Sequence, residues 1–210
     1  MADNYLERRS EELRNKPTVV RRNNPSLDTL LLKNRSYRGF DPGYKVHMRQ
    51  LQAIASVNTK VASGRNAQTL RFKLLDAANG GEDFCRFLKL GGFLPELHLP
   101  LVGTEPKAFI VVCGTEPEDA TIDIDLGISL QSMSLKAVEI GLNALVVRAF
   151  DRKGVAAALG LELAPLAVLA VGKGIEKIEL KEVAAGEDLR YYREDGVHIV
   201  PKIRFEDLLI

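Results

Sequence analysis

Three short polar clusters hold most of the chemical capacity of this 210-residue chain. Asn34-Arg35-Ser36-Tyr37-Arg38-Gly39-Phe40 supplies cations and a hydroxyl. Ala62-Ser63-Gly64-Arg65-Asn66-Ala67-Gln68, followed by Leu70-Arg71-Phe72, supplies a hydroxyl and an amide pair. Pro201-Lys202-Ile203-Arg204 adds two cations two residues apart. Together they could hold a ligand with a phosphate at one end and a planar, hydrogen-bonding heterocycle at the other. A phosphate monoester carries nearly two negative charges and accepts several hydrogen bonds. Arginine forks suit bidentate contact with it. A side-chain amide both donates and accepts, as the polar edge of a heterocycle requires.

Each cluster also has a plainer reading when taken alone. Arg35 and Arg38 can cap the carbonyls of a helix end. Asn66 and Gln68 can satisfy a loop backbone, and Lys202 and Arg204 can be solvated cations on a strand edge. Other chemistries are absent from the sequence: there is no H-E-x-x-H, C-x-x-C, G-x-S-x-G or Walker loop. His47, His98 and His198 lack ligand spacing and read as surface or core histidines. Gly172-Lys173-Gly174 lacks the third glycine of a dinucleotide loop and reads as a strand-end turn. Asp123 and Asp125 suit a helix N-terminus better than a metal site.

The elements that must position these clusters follow from periodicity. Residues 5–14 read as a charged helix with few apolar positions. Ser26 is a good N-cap for a helix carrying Leu27, Leu30 and Leu31, which would deliver Asn34 to Arg38 at its end. Asp41-Pro42-Gly43 breaks the chain. Met48, Leu51, Ile54, Ala55 and Val57 mark an amphipathic helix within 45–61, with the second cluster just beyond it. Strands are expected at 70–75, 108–113, 145–147 and 166–171, with a short helix at 155–159. Leu126, Leu130, Met133, Ala137 and Ile140 predict the strongest helix over 123–143, ended by Gly141. Residues 77–106 read mostly as loop, and the tail from Tyr191 as a Glu194-Asp195-Gly196 turn among alternating residues. The expectation is that helices outnumber strands.

Composition bounds the rest. At 46% hydrophobic and 27% charged residues, the chain can bury one sizeable core. A net charge of +1 argues against nucleic acid and anionic membrane as partners. An RNA- or anion-binding module built on Arg21-Arg22 and Arg35 to Arg38 lacks the interleaved aromatics such a surface needs. Cys85 and Cys113 fit no zinc or redox spacing and read as core thiols. No signal-peptide stretch or membrane-length apolar run is seen, so a cytoplasmic protein is expected.

In joint order the clusters resemble the nitroreductase family of flavin enzymes, from about Leu27 to the C-terminus. N-R-S-Y-R-G-F is similar to the family's R-R-S-x-R-x-F, and A-S-G-R-N-A-Q-T-L-R-F to its P-S-x-x-N-x-Q-P-W-x-F. Asp125-Leu126-Gly127 through Gly141-Leu142 resembles its central helix, and P-K-x-R is present unaltered. Asn34 stands for an arginine, a phosphate contact that Lys33 could replace. Ala62 stands for a proline and Thr69-Leu70 for Pro-Trp, which changes loop stiffness and the apolar wall beneath a ring.

The resemblance implies an α+β fold, a mixed central β-sheet flanked by helices, in a single domain over 1–210 with an N-terminal helical arm over 1–25. It implies an intertwined homodimer with two FMN sites at the interface, with a tail strand exchanged between subunits as an option. It assigns Asn34, Arg35, Ser36, Arg38, Ser63, Asn66, Gln68, Ala149, Lys202 and Arg204 to the cofactor. Within that set Arg35, Lys202 and Arg204 would neutralise the phosphate, and Ser36 would reach the ribityl chain or phosphate. Arg38 would lie near the pyrimidine side of the ring, Asn66 would bond its polar edge, and the Ala149 N–H would approach flavin N5. The implied activity is FMN-dependent NAD(P)H oxidation by a ping-pong hydride mechanism, with a small electron-poor acceptor such as a nitroaromatic or quinone. NADH or NADPH is the donor, and no protein group is catalytic. The alternative is a non-catalytic flavin-binding or sensor protein of the same fold.

Overall fold

The computed structural model describes residues 25–92 and 95–210. The charged helix expected over 5–14, and with it nearly all of the N-terminal arm, lies outside the described residues. Two apolar runs organise the rest. β2 (Ala108–Gly114) and β4 (Ala164–Gly172) are buried along almost their whole lengths. Strands covered on both faces cannot alternate polar with apolar, which is why these read as continuous apolar runs. They pair antiparallel at the centre of a four-stranded sheet, order β1-β2-β4-β3, with β1 (Leu70–Leu75) and β3 (Asn143–Val147) on its flanks. Strand alternation divides the core in two. Ile110, Val112 and Leu169 face Leu51 and Ile54 of α2 (Met48–Ala55) and Leu126 and Met133 of α3 (Ala120–Glu139). Phe109, Val111 and Val168 face Phe40, Phe84 and Val155 of α4 (Arg152–Leu159).

α3 spans about 30 Å. It starts earlier than its apolar stripe suggests, because the Asp119 carboxylate accepts from the Ile122 N–H at 2.8 Å and caps it. Gly141, at φ +79, ends it by taking the left-handed conformation that other residues resist. α1 (Leu27–Lys33) is capped by Ser26, as its sequence predicts.

After β4 the chain builds a second, three-stranded sheet, order β5-β7-β6, from β5 (Lys177–Val183), β6 (Tyr192–Glu194) and β7 (Val197–Ile203). β5 runs parallel to β7, and β6 antiparallel to it. The β6–β7 turn places Asp195 at φ +49 and Gly196 at φ +77, the Asp-Gly conformation that tight hairpins favour. Pro201 is tolerated in β7 because β6 pairs no further than Ile199, leaving an edge there. The α+β class holds. Pairing in the four-stranded sheet is antiparallel, and parallel pairing enters through β5–β7 and a bridge between Ser36 and Ala144. The expected excess of helices does not: the described residues form four α-helices and seven strands. β5 accounts for the largest miss, since most of its side chains are exposed and its partner lies 20 residues away in register.

The two sheets meet across Gly172 and Gly174. A Cβ on Gly174 would lie 2.1 Å from the Tyr37 ring, and one on Gly172 would lie 2.5 Å from Phe40. Gly174→Ala should therefore destabilise the protein by about 1–3 kcal/mol through overpacking. Gly127→Ala, at an exposed position of α3 with nothing within 4 Å of the added methyl, should leave stability unchanged or raise it by up to about 1 kcal/mol. Urea unfolding of the two variants beside the parent checks both.

Candidate functional site

Asn34 to Phe40 leave α1 as an extended segment along the outer edge of β3, bridging Ser36 to Ala144 in parallel. Asn34 Nδ2 donates to Gln131 Oε1 of α3 at 3.4 Å. Farther on, Phe40 bridges Gly174, and Ile175 N donates to Gly39 O at 3.2 Å. The segment is thus clamped between α3, β3 and the approach to β5. Glu176 completes the clamp. Its carboxylate accepts from the N–H groups of Arg38 and Gly39, the latter at 3.1 Å, and pairs with Arg193 of β6.

A cavity of about 320 Å³ opens between this segment, α3, β3 and the second sheet. Asn34, Arg35, Ser36 and Arg38 line it from one side and Lys202 of β7 from the other. Residues some 165 positions apart in sequence thereby share one space. Gln131 and Ser134 of α3, Tyr191, and His198 of β7 line it as well. None of these four belongs to the sequence motifs. The alternation of β7 could have pointed to His198, because residues 198, 200 and 202 fall on one strand face.

The electrostatics of the cavity are positive. Arg35 donates from Nη2 to Leu31 O at 2.6 Å, which caps α1, but its Nε is buried without a partner. Burial pushes the Arg35 pKa down, yet an arginine stays charged in a protein. Among the described residues no carboxylate pairs with Arg35, Arg38 or Lys202. The Arg38 guanidinium lies over the Tyr191 ring at 4.7 Å and donates to Ser36 O at 3.1 Å. Burial first, then the Glu176 carboxylate, raises the Tyr37 pKa, while Arg35 opposes them. His198 is 2% exposed and its Nδ1 has no partner. Burial and then Arg38 push its pKa down, with Arg193 adding to the shift and Glu176 opposing it.

Ala149 lines a second, smaller cavity of about 150 Å³, together with Lys89, Arg148 and others. It shares Arg38, Val146 and Tyr191 with the first, so the two form one trough. The Ala149 carbonyl accepts from Lys89 N at 2.9 Å, and its N–H has no acceptor among the described residues. Ser63 and Gln68 lie elsewhere, around a cavity of about 310 Å³ floored by Asp125 and Ser129 of α3. No residue lines both this cavity and the Arg35 cavity. Gly64 N donates to Asp125 Oδ1 at 2.8 Å, and a Cβ on Gly64 would meet Thr121 at 2.6 Å. Arg65, Asn66 and Gln68 all hold positive φ, which concentrates backbone strain in this loop. Asn66 Oδ1 accepts from Gln68 Nε2 at 3.1 Å. Arg204 does not line the Arg35 cavity: its Nε donates to Asp207 at 2.8 Å as it enters the last turn.

Cys85 and Cys113 are free, and burial raises both thiols, Cys85 to about 11. Among the described residues no cluster could hold a metal, and no helix is long and apolar enough to cross a membrane.

Comparison with known proteins supplies a frame for this geometry. Residues 95–173, from just before β2 to just past β4, match the model of the nitroreductase family. No curated protein matches the sequence. Solved structures with the same fold include a nitroreductase family protein from Clostridium difficile 630, 24% identical, with a TM-score of 0.55 over 70% of this chain and 83% of that one. A candidate nitroreductase from Exiguobacterium sibiricum, solved in complex with FMN, is 18% identical with a TM-score of 0.59, over 72% and 90% of the chains. A candidate NAD(P)H:FMN oxidoreductase from Staphylococcus epidermidis is 17% identical with a TM-score of 0.57, over 72% and 88%.

The lowered His198 pKa has a measurable consequence. As pH falls through about 6.5, the unfolded chain takes up this proton before the folded one does. The folded state is therefore favoured above that pH and loses stability below it, by at most about 1.4 kcal/mol per pH unit for one proton. Urea midpoints at pH 7.5 and 5.5 should show a larger acid loss for the parent than for His198→Gln. Equal losses would show that this imidazole does not titrate differently on folding.

Proposed function

From a chain that has the nitroreductase fold, and whose residues 95–173 match that family, we propose an FMN-dependent NAD(P)H oxidoreductase. One observation carries the reading. Arg35 and Lys202, cations from opposite ends of the described chain, border a single cavity with no carboxylate among the described residues to neutralise them. A half-buried arginine beside a cavity, with no carboxylate partner among the described residues, suits an anion with several acceptor oxygens. The adjoining trough, lined by Val146, Tyr191 and Arg38, suits a planar ring. These residues fit a flavin mononucleotide.

When bound, FMN supplies hydride acceptance at N5 from NADH or NADPH and hydride delivery to an electron-poor acceptor such as a nitroaromatic or quinone. The chain's own residues bind and tune. Arg35 and Lys202 neutralise the phosphate, and Ser36 offers a hydroxyl to it or to the ribityl chain. Arg38, held by its backbone bond to Glu176, presents a cation to the pyrimidine side and so favours extra electron density there. The unengaged Ala149 N–H would be the backbone group that meets flavin N5. No nucleophile or acid–base pair is required.

The separation of Ser63 and Gln68 from the Arg35 cavity suits a homodimer in which the second copy brings Ser63, Asn66 and Gln68 to the flavin of the first. Arg204 would then contribute only if it leaves Asp207.

Purified protein should be yellow and release FMN on acid treatment. Arg35→Ala should raise the FMN dissociation constant about 10- to 100-fold, the scale of a charged hydrogen bond. Lys202→Ala should follow, and Arg204→Ala should have the smallest effect of the three. Unchanged FMN affinity in Arg35→Ala would refute the phosphate assignment. Anaerobic NADH or NADPH should bleach the flavin. Stable colour with both donors would favour a carrier or sensor over an oxidoreductase.

A further inference from the structure

Asp125 holds a loop with one carboxylate oxygen and leaves the other unused. The residue is 5% exposed, on the buried side of α3. Its Oδ1 accepts from Gly64 N at 2.8 Å. Its Oδ2 has no hydrogen-bond partner among the described residues, and no cation there pairs with it. Unlike Arg35 Nε and His198 Nδ1, this atom is not sealed from solvent. Asp125 floors the cavity of about 310 Å³ beside the Ser63–Gln68 loop, so Oδ2 opens onto that space. Gly64 keeps it uncovered, since a Cβ there would lie 4.0 Å from Oδ2. A carboxylate this buried, with one donor and no cation, is unfavourably placed until something fills its remaining lone pairs.

The other polar groups around the cavity are engaged. Asn58 Oδ1 accepts from Ser129 Oγ at 2.6 Å, and Asn58 Nδ2 donates to Ala55 O at 2.9 Å. Ser63 Oγ accepts from Gln68 N at 3.2 Å. Arg71, an exposed cation of the lining, donates from Nη1 to Gln68 O and Leu70 O, both at 2.8 Å. Val61, Leu70 and Phe72 add apolar wall. A hard metal ion needs several oxygen ligands, and no group of residues that could hold a metal stands among the described residues. An organic cation needs only one carboxylate and an apolar wall.

We propose that this cavity binds a small organic cation, an apolar or aromatic body carrying a protonated amine or amidine, with Asp125 Oδ2 as its charge and hydrogen-bond partner. The site shares no lining residue with the Arg35 cavity and stands without the FMN reading.

The test uses the full chain as purified. Benzamidine pairs an aromatic ring with an amidinium. It is titrated by NMR beside benzyl alcohol and benzoate, its neutral and anionic counterparts. Benzamidine should move the amide signals of Gly64 and Ser129, and benzoate should not. Asp125→Asn keeps an acceptor for the Gly64 N–H and removes the charge. It should weaken benzamidine about 10- to 100-fold, the scale of a charged hydrogen bond, and leave benzyl alcohol unchanged. Parent signals that ignore benzamidine, or that move equally with benzoate, would overturn the proposal without recourse to any variant. So would an Asp125→Asn protein that binds benzamidine as tightly as the parent.

Discussion

The carboxylate of Glu176 fixes how the two sheets meet, and the cavity depends on that junction. A buried carboxylate is costly unless its lone pairs are filled. Here the side chain is 8% exposed and is filled from both sides: by the N–H groups of Arg38 and Gly39 from the first motif, and by Arg193 from β6. Each partner belongs to a segment that borders the cavity or pairs with β7. Gly172 and Gly174 allow the closeness this requires, since a methyl on either would strike Phe40 or Tyr37. The same contacts seat Arg38 over Tyr191. Removing the carboxylate would leave two N–H groups and a guanidinium facing one another, so the position of the Arg38 charge is a property of the fold rather than of one flexible side chain.

The distribution of ion pairs separates scaffold from site. Near Ala149, Glu118 pairs with both Arg148 and Arg152, and Asp123 with Arg148, so these two arginines are already answered. The hydrogen bond from Arg152 is the first cause holding the Glu118 carboxyl below its usual range. Such exposed pairs add little stability, typically under about 1 kcal/mol each, but they spend the local positive charge. Around the larger cavity no such answer exists for Arg35 or Lys202 among the described residues. A fold that pairs Arg148 and Arg152 with carboxylates and leaves Arg35 and Lys202 unpaired favours an anion at the Arg35 end of the trough.

Legibility in the sequence followed the range of the interactions. α1, α2 and α3, and strands β1 to β4, were readable because Ser26 or Gly141 and the apolar spacing act within a turn or two. β5 was not: Lys177 to Val183 is charged and mostly exposed, and only pairing with β7 makes it a strand. At the site, motif order pointed to Arg35, Ser36, Arg38 and Lys202, which now share a cavity. Glu176 and Tyr191 were given no role, and His198 was read only as a surface or core histidine, because they sit in no motif and acquire meaning only from the chain that folds against them. Arg204 shows the opposite case. Its motif is intact, yet Asp207, three residues on, offers a nearer partner than any distant ligand.

The second polar cluster poses a geometric problem that bears on assembly. Ser63 and Gln68 surround one cavity and Arg35 and Lys202 another, and both cavities touch α3, through Asp125 and Ser129 in the first case and Gln131 and Ser134 in the second. The two cavities have no lining residue in common. α3 itself is apolar around much of its circumference: Leu126, Leu130 and Met133 turn inward, while Ile124 is 64% exposed and Ile128 37%. A helix with apolar side chains on its outer face belongs in an interior or at an interface. A second copy docked over that face would cover Ile124 and Ile128 and could carry its own Ser63–Gln68 loop toward the Arg35 cavity of the first. The strain held in that loop, with three non-glycine residues at positive φ and a backbone bond to Asp125, then has a physical use. It presents Asn66 and Gln68 in a fixed array on the surface, at the cost of conformations a free loop would prefer.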